Sequence, residues 1–261
     1  VPEVLEVESY RRLAESIVGA TVTKAWADPY AAKKLASTAQ WATVVRGLTI
    51  TGTGRRGKLM LLETSGVPLG MRFGMTGVLL IDAAAGIEGL FYGPHTFRPD
   101  WIRAGMAFDD GRQLLLHDPR RLARVEIDPS LEELGPDALS LTRKEFAGIV
   151  TIARGEGPAI KARLLDQSVV AGVGNLLGDE MLFRAGIDPR TPAGRLTVDQ
   201  QSDLYTAFKA TMKTLLRRGG SHLGDHMPGR APGGLCPRDG GAMRSATIGG
   251  RTTYWCSLHQ H

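Results

Sequence analysis

Apolar residues recur at helical spacing at the start of the chain. Val4, Val7, Leu13 and Ile17 fall close to one face, and Pro2 stands where a first-turn proline is welcome. The spacing predicts a helix over residues 3–18. From residue 20 to 127 the pattern changes to short β-like runs, as at 58–63, 78–81 and 113–117. The last of these is entered through the turn Asp109-Asp110-Gly111. Proline and glycine interrupt often enough to exclude long helices here. A β-sandwich carrying the N-terminal helix is expected.

Around residues 128–140 the composition becomes that of a linker. Thr142 followed by Glu145 is a capping-box start for a helix running to about Arg154. Residues 160–167 and 176–185 read as two more helices, joined by 169–175. Thr197 with Gln200 opens another, which runs to about Arg218 before Gly219-Gly220 stops it. From Ser221 onward the chain is rich in glycine and proline, basic, and without helical period. The expected class is α+β, with no internal repeat.

Composition narrows the function classes. With 261 residues, 43% hydrophobic and 23% charged, the chain can bury a full core in one large domain or two ordinary ones. No stretch approaches the roughly 20 apolar residues needed to span a bilayer, and no charged-then-apolar leader opens it. A cytoplasmic monomer without a membrane partner is expected. The formal net charge is +5, and the segment from Lys213 to the end carries all of it, with seven basic residues against Asp225 and Asp239. That placement suggests a polyanionic partner, most simply nucleic acid, although a solvated basic surface would give the same count. The two cysteines, Cys236 and Cys256, lie in this segment, where their separation points to metal more than to a disulfide.

Five places could carry chemistry. The chain opens Val1-Pro2-Glu3. A gene starting at a GTG codon would print valine where the ribosome places methionine, and removal of that residue would leave Pro2 as the terminus. A terminal proline is a secondary amine able to form an iminium with a sugar aldehyde carbon. Its pKa starts near ~8, and the positive end of the helix it begins lowers that. Glu3 beside it could protonate the opening ring or the departing base. Lys58, in the glycine-flanked turn Gly54-Arg55-Arg56-Gly57-Lys58, could bond a phosphate or the sugar oxygen of the lesion, which places it with Pro2 and Glu3 among the catalytic candidates. Met75 and Leu122, on loops beside Arg120 and Arg121, could fill a gap left by a flipped base. Lys161 and Gln167, followed by Ala171-Gly172-Val173-Gly174-Asn175, give a helix-hairpin-helix-like unit whose turn amides and Asn175 can hold phosphate. Finally, Cys236-x2-Asp239 and Cys256-x2-His259 have zinc-ribbon spacing, with Arg251 near the tip of the intervening hairpin, and a three-ligand zinc without Asp239 or a finger folded without metal are the alternatives. Taken singly, each has a plainer structural explanation.

In this order the pieces resemble the formamidopyrimidine-DNA glycosylase / endonuclease VIII family, from residue 2 to residue 260. The likeness is densest at residues 161–175, KARLLDQSVVAGVGN. It implies an N-terminal catalytic domain (1–130), a helix-two-turn-helix DNA-binding domain (131–220) and a zinc-ribbon-like β-hairpin finger (221–261) holding one structural Zn2+ through Cys236, Asp239, Cys256 and His259. The implied partner is duplex DNA with a damaged or abasic nucleotide. Pro2 would attack C1′ with Glu3 as acid/base, releasing the base, and β,δ-elimination would cut the strand. Lys58, Asn175 and Arg251 would hold phosphates, Met75, Arg120 and Leu122 would fill the vacated stack, and Arg121 and Lys161 belong to the same DNA-binding set. Formamidopyrimidines or oxidised purines are the implied substrates. The alternatives are oxidised pyrimidines, as for endonuclease VIII, or damage binding without efficient catalysis. The chain departs from the family's usual pattern at Leu5, Arg72, Leu122, Leu176-Leu177-Gly178, Asp239, His259 and the short stretch 219–235. These positions bear on which base enters the pocket.

Overall fold

The computed structural model describes residues 2–261 other than 83, 88, 91, 92, 94, 95 and 152–154. The chain divides into two compact units, Val1–Glu132 and Glu133–His261. None of the described helices is long and apolar enough to cross a membrane.

The first unit opens with α1 (Val4–Ala14), continued by a 3-10 turn over Glu15–Ile17. The periodic segment therefore forms as expected but tightens in its last turn. Glu3 and Glu6 make a reciprocal capping box at its start. Two antiparallel sheets follow. One runs β1 (Val22–Ala27), β7 (Ile102–Phe108), β8 (Gln113–His117), β5 (Val78–Ile81) and β6 (Ala84–Ala85). The other runs β2 (Ile50–Arg56), β3 (Leu59–Thr64), β4 (Leu69–Arg72) and β9 (Arg124–Ile127). One apolar cluster draws on both sheets and on α1, joining Tyr10, Met60, Leu62, Met71, Leu79, Met106 and Leu116. Tyr10 is fixed within it by donating its hydroxyl to the Gly77 carbonyl at 3.1 Å.

A short helix, α2 (Thr38–Val45), breaks the expected all-β run. Ser37 caps it, its side chain accepting from the Gln40 N–H at 3.2 Å. Trp41 and Val45, one turn apart, are its buried face. Burying side chains of this size is worth roughly 1.5–3 kcal/mol each, enough to hold a two-turn helix that propensity alone would not.

In the second unit the capping boxes appear where the sequence placed them. Thr142 and Glu145 open α3 (Arg143–Val150), and Thr197 and Gln200 open α6 (Val198–Arg218), which Gly219 ends at φ +105°. α3 ends at Val150, where Thr151 turns extended, and so falls short of the expected end near Arg154, a residue outside the described ones. Between these come α4 (Ile160–Leu165) and α5 (Asn175–Ala185). The Gln167 side chain fixes the turn joining them. Its amide donates to the carbonyls of Leu165 and Val173 at 2.8 and 2.9 Å, and its oxygen accepts from the Gly172 N–H at 3.0 Å. Gly172 sits at φ +116°, a conformation only glycine adopts readily. A hairpin of β10 (Met243–Ile248) and β11 (Arg251–Cys256) completes the unit, turning at Gly249-Gly250.

Candidate functional site

In the first unit, Pro2 and Glu3 are buried at the entry to α1, Glu3 being 0% exposed. The Glu3 backbone N–H donates to Glu6 Oε2 at 2.8 Å, and the helix closes with the Val7 N–H on the Glu3 carbonyl at 3.1 Å. At the point where Pro2 enters the helix, the first-turn amides are met by two buried carboxylates, Glu3 and Glu6. Val1 itself lies outside the described residues.

Glu8, two turns of sequence away from Pro2, ties α1 to the Lys58 turn. Its carboxylate accepts from Arg11, Arg12 and Arg55, the last at 3.2 Å, and Arg55 also donates to the Gly57 carbonyl at 3.1 Å. Gly57 and Lys58 form a two-residue hairpin turn, because Arg56 pairs with Leu59. Gly57 takes the first central position at φ +57°, as this turn class requires. Lys58 is half-buried. Burial alone would raise the Glu8 carboxyl, yet its three arginine partners hold it down at about 2. With a folded value below the ordinary 4.5, the unfolded chain takes up the proton first. The stability that Glu8 supplies is therefore complete above 4.5 and lost as pH falls toward 2. Glu8→Gln is expected to flatten the acid limb of a plot of Tm against pH. An acid limb as steep as that of the native protein would contradict this.

Two loops of the same unit carry the remaining candidates. Met75 is half-buried, Arg120 is exposed, and Leu122 is 38% exposed. Arg121, at φ +59°, lays its guanidinium over the Tyr30 ring at 4.7 Å and donates to the Tyr30 hydroxyl at 3.0 Å. Arg72 pairs with Glu126 at 3.0 Å, sharing that carboxylate with Arg124, and Leu5 is buried.

In the second unit, Lys161 is 0% exposed. Its ammonium donates to Asn175 Oδ1 at 2.7 Å and Thr253 Oγ1 at 2.5 Å, and pairs with Asp179 Oδ1 at 2.5 Å. Arg230 meets the other Asp179 oxygen at 3.0 Å and also donates to the Thr252 carbonyl at 3.2 Å. Burial pushes the Asp179 carboxyl up, while the two cations pull it back. The network fixes Asn175, whose amide donates to the Thr252 carbonyl at 3.0 Å. Lys161 therefore stands behind Asn175 as its anchor, inside the unit and away from the surface. Arg251 is exposed at the end of the hairpin. Sequence reasoning passed over Asp179, Thr253 and Arg230. Asp179 follows Asn175 by one helical turn and so shares its face, a signal that was available. Arg230 sits in an aperiodic loop and gave none.

Cys236, Asp239, Cys256 and His259 converge, with one donor atom from each lying within 4.8 Å of all the others. Cys256 Sγ is 3.3 Å from Asp239 Oδ1, and Cys236 Sγ is 3.7 Å from His259 Nδ1. Each sulfur also accepts a backbone N–H two residues on, from Arg238 and from Leu258, both at 3.4 Å. The donor types and separations fit a four-coordinate zinc. The Gly241 N–H and the His259 ring hold the Asp239 carboxyl well below its usual range. Burial raises the Cys256 thiol, whose proton a bound cation would displace.

Residues 1–125 match the formamidopyrimidine-DNA glycosylase N-terminal domain, and residues 134–226 match the H2TH domain of the same glycosylase. The formamidopyrimidine-DNA glycosylase of Thermus thermophilus is 33% identical, the alignment covering 100% of this chain and 98% of the relative. Among solved structures, the Lactococcus lactis protein in complex with DNA containing FAPY-dG aligns with a TM-score of 0.80 at 25% identity, over 99% of this chain and 100% of that one. The wild-type protein from the same organism, bound to DNA containing an oxidised pyrimidine, aligns with a TM-score of 0.81 at 25% identity, over 100% of both chains.

Proposed function

Since the chain belongs to the formamidopyrimidine-DNA glycosylase family of DNA-repair enzymes, we propose that Pro2, once Val1 is removed, is its nucleophile. The secondary amine attacks C1′ of the damaged nucleotide as the base departs. Glu3 passes a proton toward the opening sugar or the leaving base. The resulting iminium acidifies C2′. Loss of a C2′ proton expels the 3′ phosphate, and a second elimination expels the 5′ phosphate, leaving a one-nucleotide gap. The observation that carries this reading is the capped start of α1, where Pro2 adjoins a buried Glu3 amid the first-turn amides.

Lys58, Asn175 and Arg251 hold phosphates in this account, with Lys161 acting through Asn175. Met75, Arg120 and Leu122 occupy the space the damaged nucleotide leaves, and Arg121 stiffens that loop from its place on Tyr30. Cys236, Asp239, Cys256 and His259 would hold one structural zinc, which supplies no step of the reaction and secures the fold of the finger. Metal analysis is expected to find close to one zinc per chain, with Cys236→Ser losing both the metal and DNA binding. A metal-free protein that folds and binds DNA as well as the native one would remove this assignment.

Formamidopyrimidines and oxidised purines are the leading substrates, following the family name that the relatives bear. Oxidised pyrimidines are the second reading, because the Lactococcus neighbour has been solved with such DNA. Single-turnover excision from otherwise identical duplexes decides between them. Faster release of formamidopyrimidine with phosphate on both ends of the gap supports the first reading. Preference for the oxidised pyrimidine supports the second.

A further inference from the structure

We propose that Asp118 is a positioning residue that locks the Met75 loop and the loop carrying Arg120 and Leu122 into a single rigid wedge. The inference rests on the stack-filling role proposed above for Met75, Arg120 and Leu122.

Asp118 directly follows β8 and is 0% exposed. Among the described residues, its carboxylate meets four donors. Oδ1 accepts from the Thr76 hydroxyl and from the Arg120 N–H at 3.1 Å. Oδ2 accepts from the Leu122 and Ala123 N–H groups at 2.6 and 2.7 Å. One side chain therefore holds three amides of the 120–123 loop and, through the buried Thr76, the residue next to Met75. Its own backbone is fixed as well. The Asp118 N–H donates to the Trp101 carbonyl at 2.8 Å, and its carbonyl accepts from Arg103 Nε at 2.7 Å. Arg103 in turn pairs with Asp28 at 3.0 Å. The hub is thus anchored to β7 rather than drifting with the loops it holds.

The two loops also touch directly. Gly74 lies at φ +57°, and a Cβ placed there would come within 2.6 Å of Leu122 Cβ and 2.8 Å of its backbone carbon. Only glycine lets residue 74, next to Met75, stand this close to Leu122. A wedge that must enter a base stack works only if its two sides keep their separation, since each misplacement is multiplied in the rate of reaching the extruded state. Two loops with four hydrogen bonds converging on one buried carboxylate meet that requirement. An asparagine would keep the shape, yet its NH2 would face two of the four donors and leave them unpaired.

The test compares two rates for each variant: base excision from a lesion in duplex DNA, which needs the wedge, and cleavage of an abasic site in single-stranded DNA, which has no stack to fill. For Asp118→Asn the ratio of duplex to single-strand rate is expected to fall at least tenfold, with the single-strand rate within about twofold of native. The fluorescence rise of a 2-aminopurine beside the lesion, which reports unstacking, is expected to be lost in parallel. Thr76→Val removes one hydroxyl without changing shape, and its ratio is expected to fall about threefold. It decides the matter should Asp118→Asn fail to fold. An unchanged ratio in Thr76→Val, or in a folded Asp118→Asn, overturns the proposal, provided Met75→Ala and Leu122→Ala lower it. If Met75→Ala and Leu122→Ala also leave the ratio unchanged, the stack-filling reading itself has failed, and this inference falls with it.

Discussion

Replacing Glu3 with glutamine is expected to cut base excision from an intact lesion by at least about 100-fold, the range in which positioned general acids act. Glutamine keeps the size and the capping geometry of a buried residue that opens α1 beside Glu6. What it lacks is the proton that the departing base or the sugar oxygen must receive. Cleavage of a pre-formed abasic site requires no base to leave, so a measurable part of that activity should survive. The measurement is a pair of single-turnover rates on matched duplexes, one with the damaged base and one with the abasic site. Equal loss on both would mean that Glu3 serves the fold or the elimination steps instead of base release.

The second large effect lies in the interior of the other unit. Asp179→Ala leaves Lys161 and Arg230 buried without their shared carboxylate. Removing one partner from a buried ion pair costs about 3–5 kcal/mol, because the remaining charge stays desolvated and uncompensated. Urea unfolding should report a loss of that size, together with weaker DNA binding as Asn175 loses its fixed orientation on Lys161. The combined change of Lys161→Met, Asp179→Leu and Arg230→Met should recover much of the stability, since apolar residues of similar volume remove all three buried charges. It should not recover DNA affinity, because Asn175 would still lack its anchor. A single variant losing under ~1 kcal/mol would show that water or Arg230 compensates, and the network would then not be what orders Asn175.

Features written in neighbouring residues were legible from the sequence. The capping boxes at Thr142/Glu145 and Thr197/Gln200 need only a spacing of three, and both form. The four donor residues of the finger come in two pairs at a spacing of three, so a hairpin suffices to bring Cys236, Asp239, Cys256 and His259 together. Features made by distant parts of the chain were harder to see. Lysines are seldom fully buried, so Lys161 read as one of the DNA-binding set and not as an interior residue. Its burial depends on Asp179 and on Thr253, 92 residues away. Nothing local marked Asp118, whose bond to Thr76 spans 42 residues. Helix α2 was passed over because it is only eight residues long and its Thr43-Val44-Val45 end is β-branched, which favours a strand reading. The pairing of Trp41 with Val45 and the cap from Ser37 were its only marks.

The central claim is covalent catalysis by Pro2, and borohydride trapping tests it most directly. The full-length protein is mixed with an oligonucleotide bearing one abasic site, reduced with borohydride and digested, and the linked peptide is mapped by mass. The account predicts a stable adduct on the Pro2 nitrogen, on chains from which Val1 is missing. An adduct on Lys58, or no adduct while tight binding to the abasic DNA persists, would contradict it.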